Sequence, residues 1–194
     1  RLMLAKVVPA GSMVGARGPR LEVLVMGPQG SGKTVLCRRL KQSCKVRVPD
    51  DILDTMPTLG VELDDFMFQK CNLVLREVGG SFVQVWKNFY PDCGAWVYVM
   101  DISDISKLAE ATIEFINVAR DNEMKSKPVL LILNKTDAAV RIRQHELDSL
   151  MRLSDLKQSM KRLQVLEASG LNNTGITDIL NALAAMCSGK PSPR

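Results

Sequence analysis

Histidine is nearly missing from this sequence: His145 is the single one in 194 residues. A metal centre or proton relay built on several histidines is thereby excluded, and His145 lies in a polar stretch that reads as surface. The five cysteines (Cys37, Cys44, Cys71, Cys93 and Cys187) form no C-x-x-C pair and no metal-like spacing. Zinc-finger and disulfide-framework classes drop out, and the thiols are read as reduced. No apolar run approaches the roughly 18–20 residues that would cross a bilayer as a helix. Internal repeats and low-complexity tracts are absent too. With 46% hydrophobic and 24% charged residues, the length suits one globular domain with a sizeable core.

Acidic residues are missing from both ends. Residues 1–20 carry Arg1, Lys6, Arg17 and Arg20 without an acid, and Lys190 and Arg194 follow Cys187. These six cations exceed the net charge of +5, so residues 21–187 carry −1. A nucleic-acid binder concentrates its cations on the fold itself, so no nucleic-acid partner is expected. Residues 1–20 are read as a flexible basic arm and 188–194 as a tail, with at most a weak peripheral attraction to anionic lipid. A Met-Gly start and a C-a-a-X box are not seen, so no myristoyl or prenyl anchor is expected.

What the sequence does contain is Gly27-Pro28-Gln29-Gly30-Ser31-Gly32-Lys33-Thr34, which fits the P-loop pattern G-x-x-x-x-G-K-[ST]. A β-branched apolar run (Leu21–Met26) precedes it and a helix-compatible run (Val35–Lys41) follows. That setting matters, because glycines let successive N–H groups wrap a phosphate while a helix N-terminus points its positive end at it. Lys33 is expected to reach the β- and γ-phosphates, and Thr34 to offer its hydroxyl to Mg²⁺. The plain alternative is a glycine-rich turn that binds nothing; the flanking strand and helix argue against it.

Downstream, strand and helix patterns alternate. Residues 44–57 read as a loop, 61–69 and 72–78 as adjoining strands around a Lys70-Cys71 turn, and 82–90 as a short helix. Strands follow at 95–101, 128–133 and 163–167, with helices over 104–120, about 141–151 and 175–186. Strands that are apolar throughout, interleaved with amphipathic helices, predict an α/β fold: a mostly parallel six-stranded sheet with helices on both faces.

A second motif, Asn134-Lys135-Thr136-Asp137, directly follows the strand 128–133. Ligands bind at the carboxyl ends of strands in such sheets, which places this loop on the P-loop's rim. N-K-x-D is a guanine signature. The Asp137 carboxylate would accept from the guanine N1–H and exocyclic amine, a donor pair that adenine lacks, so rejection of ATP should be steep. Asn134 would hold neighbouring loops and the Lys135 stem would lie over the purine. Ser169-Gly170, at the end of the last strand, could present a backbone N–H to guanine O6.

With these motifs in place, residues 21–187 resemble small GTPases, and within them the ADP-ribosylation factor (Arf/Arl) family. Pro57-Thr58-Leu59-Gly60 resembles that family's switch I, P-T-x-G, and Glu77-Val78-Gly79-Gly80 its switch II, D-V-G-G-Q. The resemblance implies that Thr58 meets Mg²⁺ and the γ-phosphate, that Glu77 holds Mg²⁺ through water, and that the Gly80 N–H senses the γ-phosphate. The bound species are thus expected to be GTP or GDP with Mg²⁺, held by Gly27, Gln29, Gly30, Ser31, Gly32, Lys33, Thr34, Glu77, Gly80, Asn134, Lys135, Asp137, Ser169 and Gly170. Catalysis would involve Lys33, Gly80 and position 81.

Three departures bear on mechanism. Ser81 stands where the family has the glutamine that orients the attacking water, so intrinsic hydrolysis should be slow or should need an activating partner. Glu77 replaces an aspartate, and one more methylene moves the carboxylate by about 1.5 Å. Val61, Arg76 and Phe89 occupy the region of the family's aromatic effector triad, where an arginine makes a different surface. The expected activity is a GTP/GDP switch that recruits effectors, served by an exchange factor and a GTPase-activating protein. A monomer is expected in the cytoplasm; the resemblance adds peripheral contact with Golgi- or cilium-related membranes. Two alternatives stand beside it: a pseudo-GTPase scaffold locked in one state, and a P-loop kinase of small molecules, which has no use for N-K-x-D.

Overall fold

A computed structural model describes residues 18–48 and 51–189. Most of the basic arm and residues 190–194 of the tail lie outside the described residues. Six strands form one sheet: β1 (Arg20–Met26), β2 (Val61–Phe68), β3 (Cys71–Val78), β4 (Ala95–Asp101), β5 (Val129–Asn134) and β6 (Leu163–Glu167). Their spatial order is β2-β3-β1-β4-β5-β6. All neighbours run parallel except β2 and β3, an antiparallel pair whose register sets Val61 opposite Val78 and Phe68 opposite Cys71. The mostly parallel sheet expected from the sequence is therefore what forms, and the turn between β2 and β3 is Gln69–Lys70, one residue earlier than expected.

Helices cover both faces, and their apolar spacing decides which. On one side lie α1 (Lys33–Ser43), through Leu36, Cys37 and Leu40, and α6 (Ile176–Cys187), through Ile176, Ile179, Leu180 and Leu183. They pack on Val23, Val25, Leu73, Val97 and Ile132. On the other side α3 (Ile105–Arg120) presents Leu108, Ala111, Phe115 and Val118 at helical spacing to Leu24, Trp96, Tyr98 and Leu131. Each buried aliphatic or aromatic side chain contributes about 1.5–3 kcal/mol through removal from water. Because successive residues of a strand face opposite layers, the central strands must be apolar at every position.

The short segments differ from expectation. The helix expected over 82–90 is a single turn, α2 (Val83–Trp86), followed by a 3₁₀ turn over Lys87–Phe89. The helix expected over about 141–151 is α4 (Gln144–Met151), and a further short helix not expected from the sequence, α5 (Leu153–Ser159), follows it. Arg152 between them has φ 49°, a left-handed conformation that interrupts the helical ladder. Leu153 and Leu156 carry the α5 packing into the α3-side core. Among the described residues no helix is long and apolar enough to cross a membrane.

Candidate functional site

The P-loop leaves β1 at Met26 and enters α1 at Lys33, so its backbone turns directly beneath the helix N-terminus. Gly32 caps that helix at φ 91°, and a Cβ there would overlap the Asn134 amide; glycine meets both demands. Asn134 in turn donates from Nδ2 to the Ser31 carbonyl at 2.8 Å. The end of β5 is thereby tied to the P-loop, and the two motifs share one rim.

Lys33 is buried, and its ammonium donates to the carbonyls of Gly27 and Pro28, each at 2.9 Å. An ammonium has three donors, so one remains beyond these two bonds. Burial lowers the Lys33 pKa, and the nearby Glu77 carboxylate opposes that shift. Glu77, at the end of β3, is also buried. Its Oε1 accepts from Thr34 Oγ1 at 2.6 Å and from Thr58 Oγ1 at 3.2 Å, and the two hydroxyls are 3.2 Å apart. Burial raises the Glu77 pKa, with the Thr34 bond and Lys33 acting against it. The three oxygen-bearing side chains assigned to a metal therefore meet at one point. Glu77 Oε2 is buried with no hydrogen-bond partner among the described residues. A hard cation takes carboxylate and hydroxyl oxygens, so this donor set fits Mg²⁺.

The loop after β3 closes on the same place. A Cβ on Gly80 would collide with the backbone of Pro28 and Gln29, and one on Gly79 with the Thr58 carbonyl. The Gly79 N–H donates to the Gly60 carbonyl at 2.9 Å, and Trp86 Nε1 donates to the Gly79 carbonyl at 3.3 Å. Both switch-like loops thus lie against the P-loop. They bound a cavity of about 290 Å³ lined by Gln29, Gly30, Gly32, Lys33, Thr34, Thr58, Glu77, Gly80, Ser81 and Lys135. Ser81 is exposed at its edge. Gly27, Ser31, Asn134, Asp137, Ser169 and Gly170 do not line that cavity.

Those last four form the other half of the rim. Asp137 Oδ1 accepts a short bond from Ser169 Oγ, whose oxygen also accepts the Asn172 N–H at 3.0 Å. The Ser169 N–H donates to the Thr174 carbonyl at 3.0 Å, which leaves the Gly170 N–H as the donor of that dipeptide without a partner among the described residues. The Gly170 carbonyl accepts from Arg39 Nε at 2.8 Å, which fixes the loop against α1. Lys135 stands at φ 68°, and its ammonium pairs with Asp101 at 2.6 Å. Asp101 was missed in the sequence, although an acid closing an apolar strand at the rim was a readable signal. Of the expected effector residues, Val61 is exposed on edge strand β2. Arg76 lies 5.3 Å over the Phe89 ring and 3.2 Å from Glu22, so its charge is already engaged.

The chain is similar to known proteins in sequence and in fold. A model of the ADP-ribosylation factor family matches residues 11–187. The sequence is 29% identical to human ADP-ribosylation factor-like protein 16, over 91% of this chain and 95% of that one. It is 25% identical to ADP-ribosylation factor-like protein 1 of Saccharomyces cerevisiae, over 84% and 85%. The fold matches that of the small GTPase Arl6 (BBS3) of Trypanosoma brucei, solved with the nucleotide analogue GppNp. The TM-score is 0.75 at 23% identity, and the match covers 89% of this chain and 99% of that one.

Proposed function

The chain belongs to the ADP-ribosylation factor family of GTP-binding small GTPases, and from that premise we propose that it is a Mg²⁺-dependent GTP/GDP switch with slow intrinsic hydrolysis, carried by residues 21–187. The observation that carries the reading is the meeting of Thr34, Thr58 and Glu77 at 2.6–3.2 Å beneath the P-loop. Thr58 belongs to a loop that can leave this cluster, whereas Thr34 and Glu77 sit on α1 and β3. Thr58 is held there by two hydroxyl contacts, to Thr34 and to Glu77, and release of both would free its loop from the cluster, as an order-to-disorder switch requires.

In this reading Lys33 holds the β- and γ-phosphates, the P-loop N–H groups of Gly30, Ser31 and Gly32 surround them, and the Gly80 N–H meets the terminal one. Thr34, Thr58 and, through water, Glu77 would hold Mg²⁺, which supplies charge neutralisation between the phosphates. Asp137 selects guanine, the Lys135 stem covers the ring, Asn134 keeps the two motifs in register, and the Gly170 N–H meets O6. Ser81 is too short to orient a water as glutamine does, so turnover waits on an activating protein. Exchange factor, activating protein and effector then meet a face formed by the switch loops and β2. Its Arg76 differs from an aromatic effector triad. A monomer acting in the cytoplasm, at Golgi- or cilium-related membranes, completes the proposal.

A second reading has an observation of its own. Glu77 joins Thr34 to Thr58 directly, a link that can pin the switch loop without a terminal phosphate, as in a scaffold locked in one state. Capture of binding partners by the GTP-analogue form and the GDP form separates the two. A switch captures them in one form only, and Thr58→Ala abolishes the difference. Equal capture by both forms favours the scaffold.

A further inference from the structure

At the amino ends of β5 and β6, on the pole of the sheet opposite the P-loop rim, lies a second cleft of about 330 Å³. It is lined by Lys125, Lys127, Lys161 and Arg162 together with Ser126 and Ser159. Sequence alone hid it, because its two segments are some thirty residues apart and the body charge is nearly balanced. Residues 120–127 and 157–162 together hold six cations (Arg120, Lys125, Lys127, Lys157, Lys161, Arg162) against Asp121 and Glu123. That is +4, so the rest of 21–187, which totals −1 with them, carries −5.

Three of the four lining cations are held, and by neutral groups only. Lys127 donates to the carbonyls of Tyr90 at 2.5 Å and Cys93 at 2.8 Å. Arg162 donates to the Ser126 carbonyl at 3.2 Å, and Lys125 to the Asn122 side chain at 2.9 Å. Lys161 has no partner among the described residues. Elsewhere Arg20, Lys41, Arg76, Lys87, Lys107, Lys135, Arg143 and Arg152 each reach a carboxylate. Among the described residues no cleft cation forms an ion pair with a carboxylate. Lys127 is anchored on backbone carbonyls as Lys33 is in the P-loop, with a third carbonyl, that of Pro91, at 3.5 Å. Carbonyl bonds fix an ammonium in place without neutralising it, and that suits an anion receptor.

We propose that this cleft is a second anion site, separate from the nucleotide rim, for a compact ligand with more than one phosphate. Four cations around one small concavity match the charge of clustered phosphates, and the Ser126 hydroxyl adds a neutral donor. The same chemistry is offered by a phosphoinositide headgroup in a membrane and by a free inositol phosphate.

The test loads the full chain with GDP, so that the P-loop is filled, and titrates inositol trisphosphate by calorimetry. In parallel the chain is sedimented with phosphatidylcholine vesicles containing phosphatidylinositol bisphosphate. Saturable binding is expected, weakened at least about tenfold by Lys161→Glu with Arg162→Glu while GDP affinity is unchanged. Lys161→Ala replaces the double reversal if that variant fails to fold. Loss of vesicle sedimentation in the same variant assigns the ligand to the membrane. Loss of the soluble ligand alone assigns it to a free polyphosphate. No saturable binding, or equal binding by wild type and variant, overturns the proposal.

Discussion

The two halves of the nucleotide rim are built differently. On the base side the functional side chains are already bound to the chain: Asn134 to Ser31, Lys135 to Asp101, and Asp137 to Ser169. On the phosphate side Ser31 Oγ and Glu77 Oε2 are buried without partners among the described residues, and Lys33 has a donor left. An unpaired buried polar atom costs about 1–3 kcal/mol. The base side is held in place by the protein, with Asn134 Oδ1 and the Gly170 N–H still unpaired among the described residues. On the phosphate side, by contrast, the unpaired groups include a carboxylate oxygen and an ammonium donor, which call for charged partners. A pocket of the first kind selects which nucleotide enters; one of the second kind couples its own order to the phosphates present.

The largest effect that would break this contrast concerns the base. Asp137→Asn removes the acceptor pair for guanine and should reduce preference for GTP over xanthosine triphosphate by on the order of 10³-fold or more. Competition against a fluorescent nucleotide measures it, and an unchanged ratio would take the base role from Asp137. Next comes Lys33→Ala. Losing a charged hydrogen bond of about 3 kcal/mol should weaken GDP and GTP alike by roughly a hundredfold, with guanine selectivity kept. A loss of selectivity along with affinity would show that the halves are not separable.

Ser81→Gln should raise the single-turnover hydrolysis rate by about tenfold or more if water placement is what is missing. No change would move the cause to Glu77 or to an absent partner protein. The smallest effect is on stability. Burial holds the Glu77 carboxyl above its ordinary range, so the folded chain binds that proton more tightly than the unfolded one. Its contribution is then present at acid pH and is lost as pH rises through the raised pKa. In EDTA without nucleotide, Glu77→Gln should raise the melting temperature at neutral pH, with a gain that shrinks on acidification. A gain independent of pH would assign the effect to packing.

The contrast also explains what could be read from residues alone. The sheet was legible because β1, β4 and β5 carry unbroken apolar runs (Val23–Met26, Ala95–Met100 and Val129–Leu133), and only a strand covered on both faces demands that. P-loop and N-K-x-D were legible because glycine conformation and donor chemistry tie them to fixed spacings. The break at Arg152 was not, since nothing in its side chain announces a left-handed backbone. Asp101 and the four cations around the second cleft were also missed, because their partners come from distant segments that only the folded sheet brings together. Sequence spacing records chemistry within one loop; it is silent on pairs made across the rim or across a pole.

The most direct test of the account is equilibrium binding of a fluorescent GDP and of a slowly hydrolysed GTP analogue, with and without Mg²⁺, against ATP as competitor. A GTP/GDP switch predicts that both nucleotides bind, that Mg²⁺ strengthens the GTP analogue most, and that excess ATP displaces neither. Binding of one nucleotide alone, or affinity indifferent to Mg²⁺, would contradict it and favour a locked scaffold.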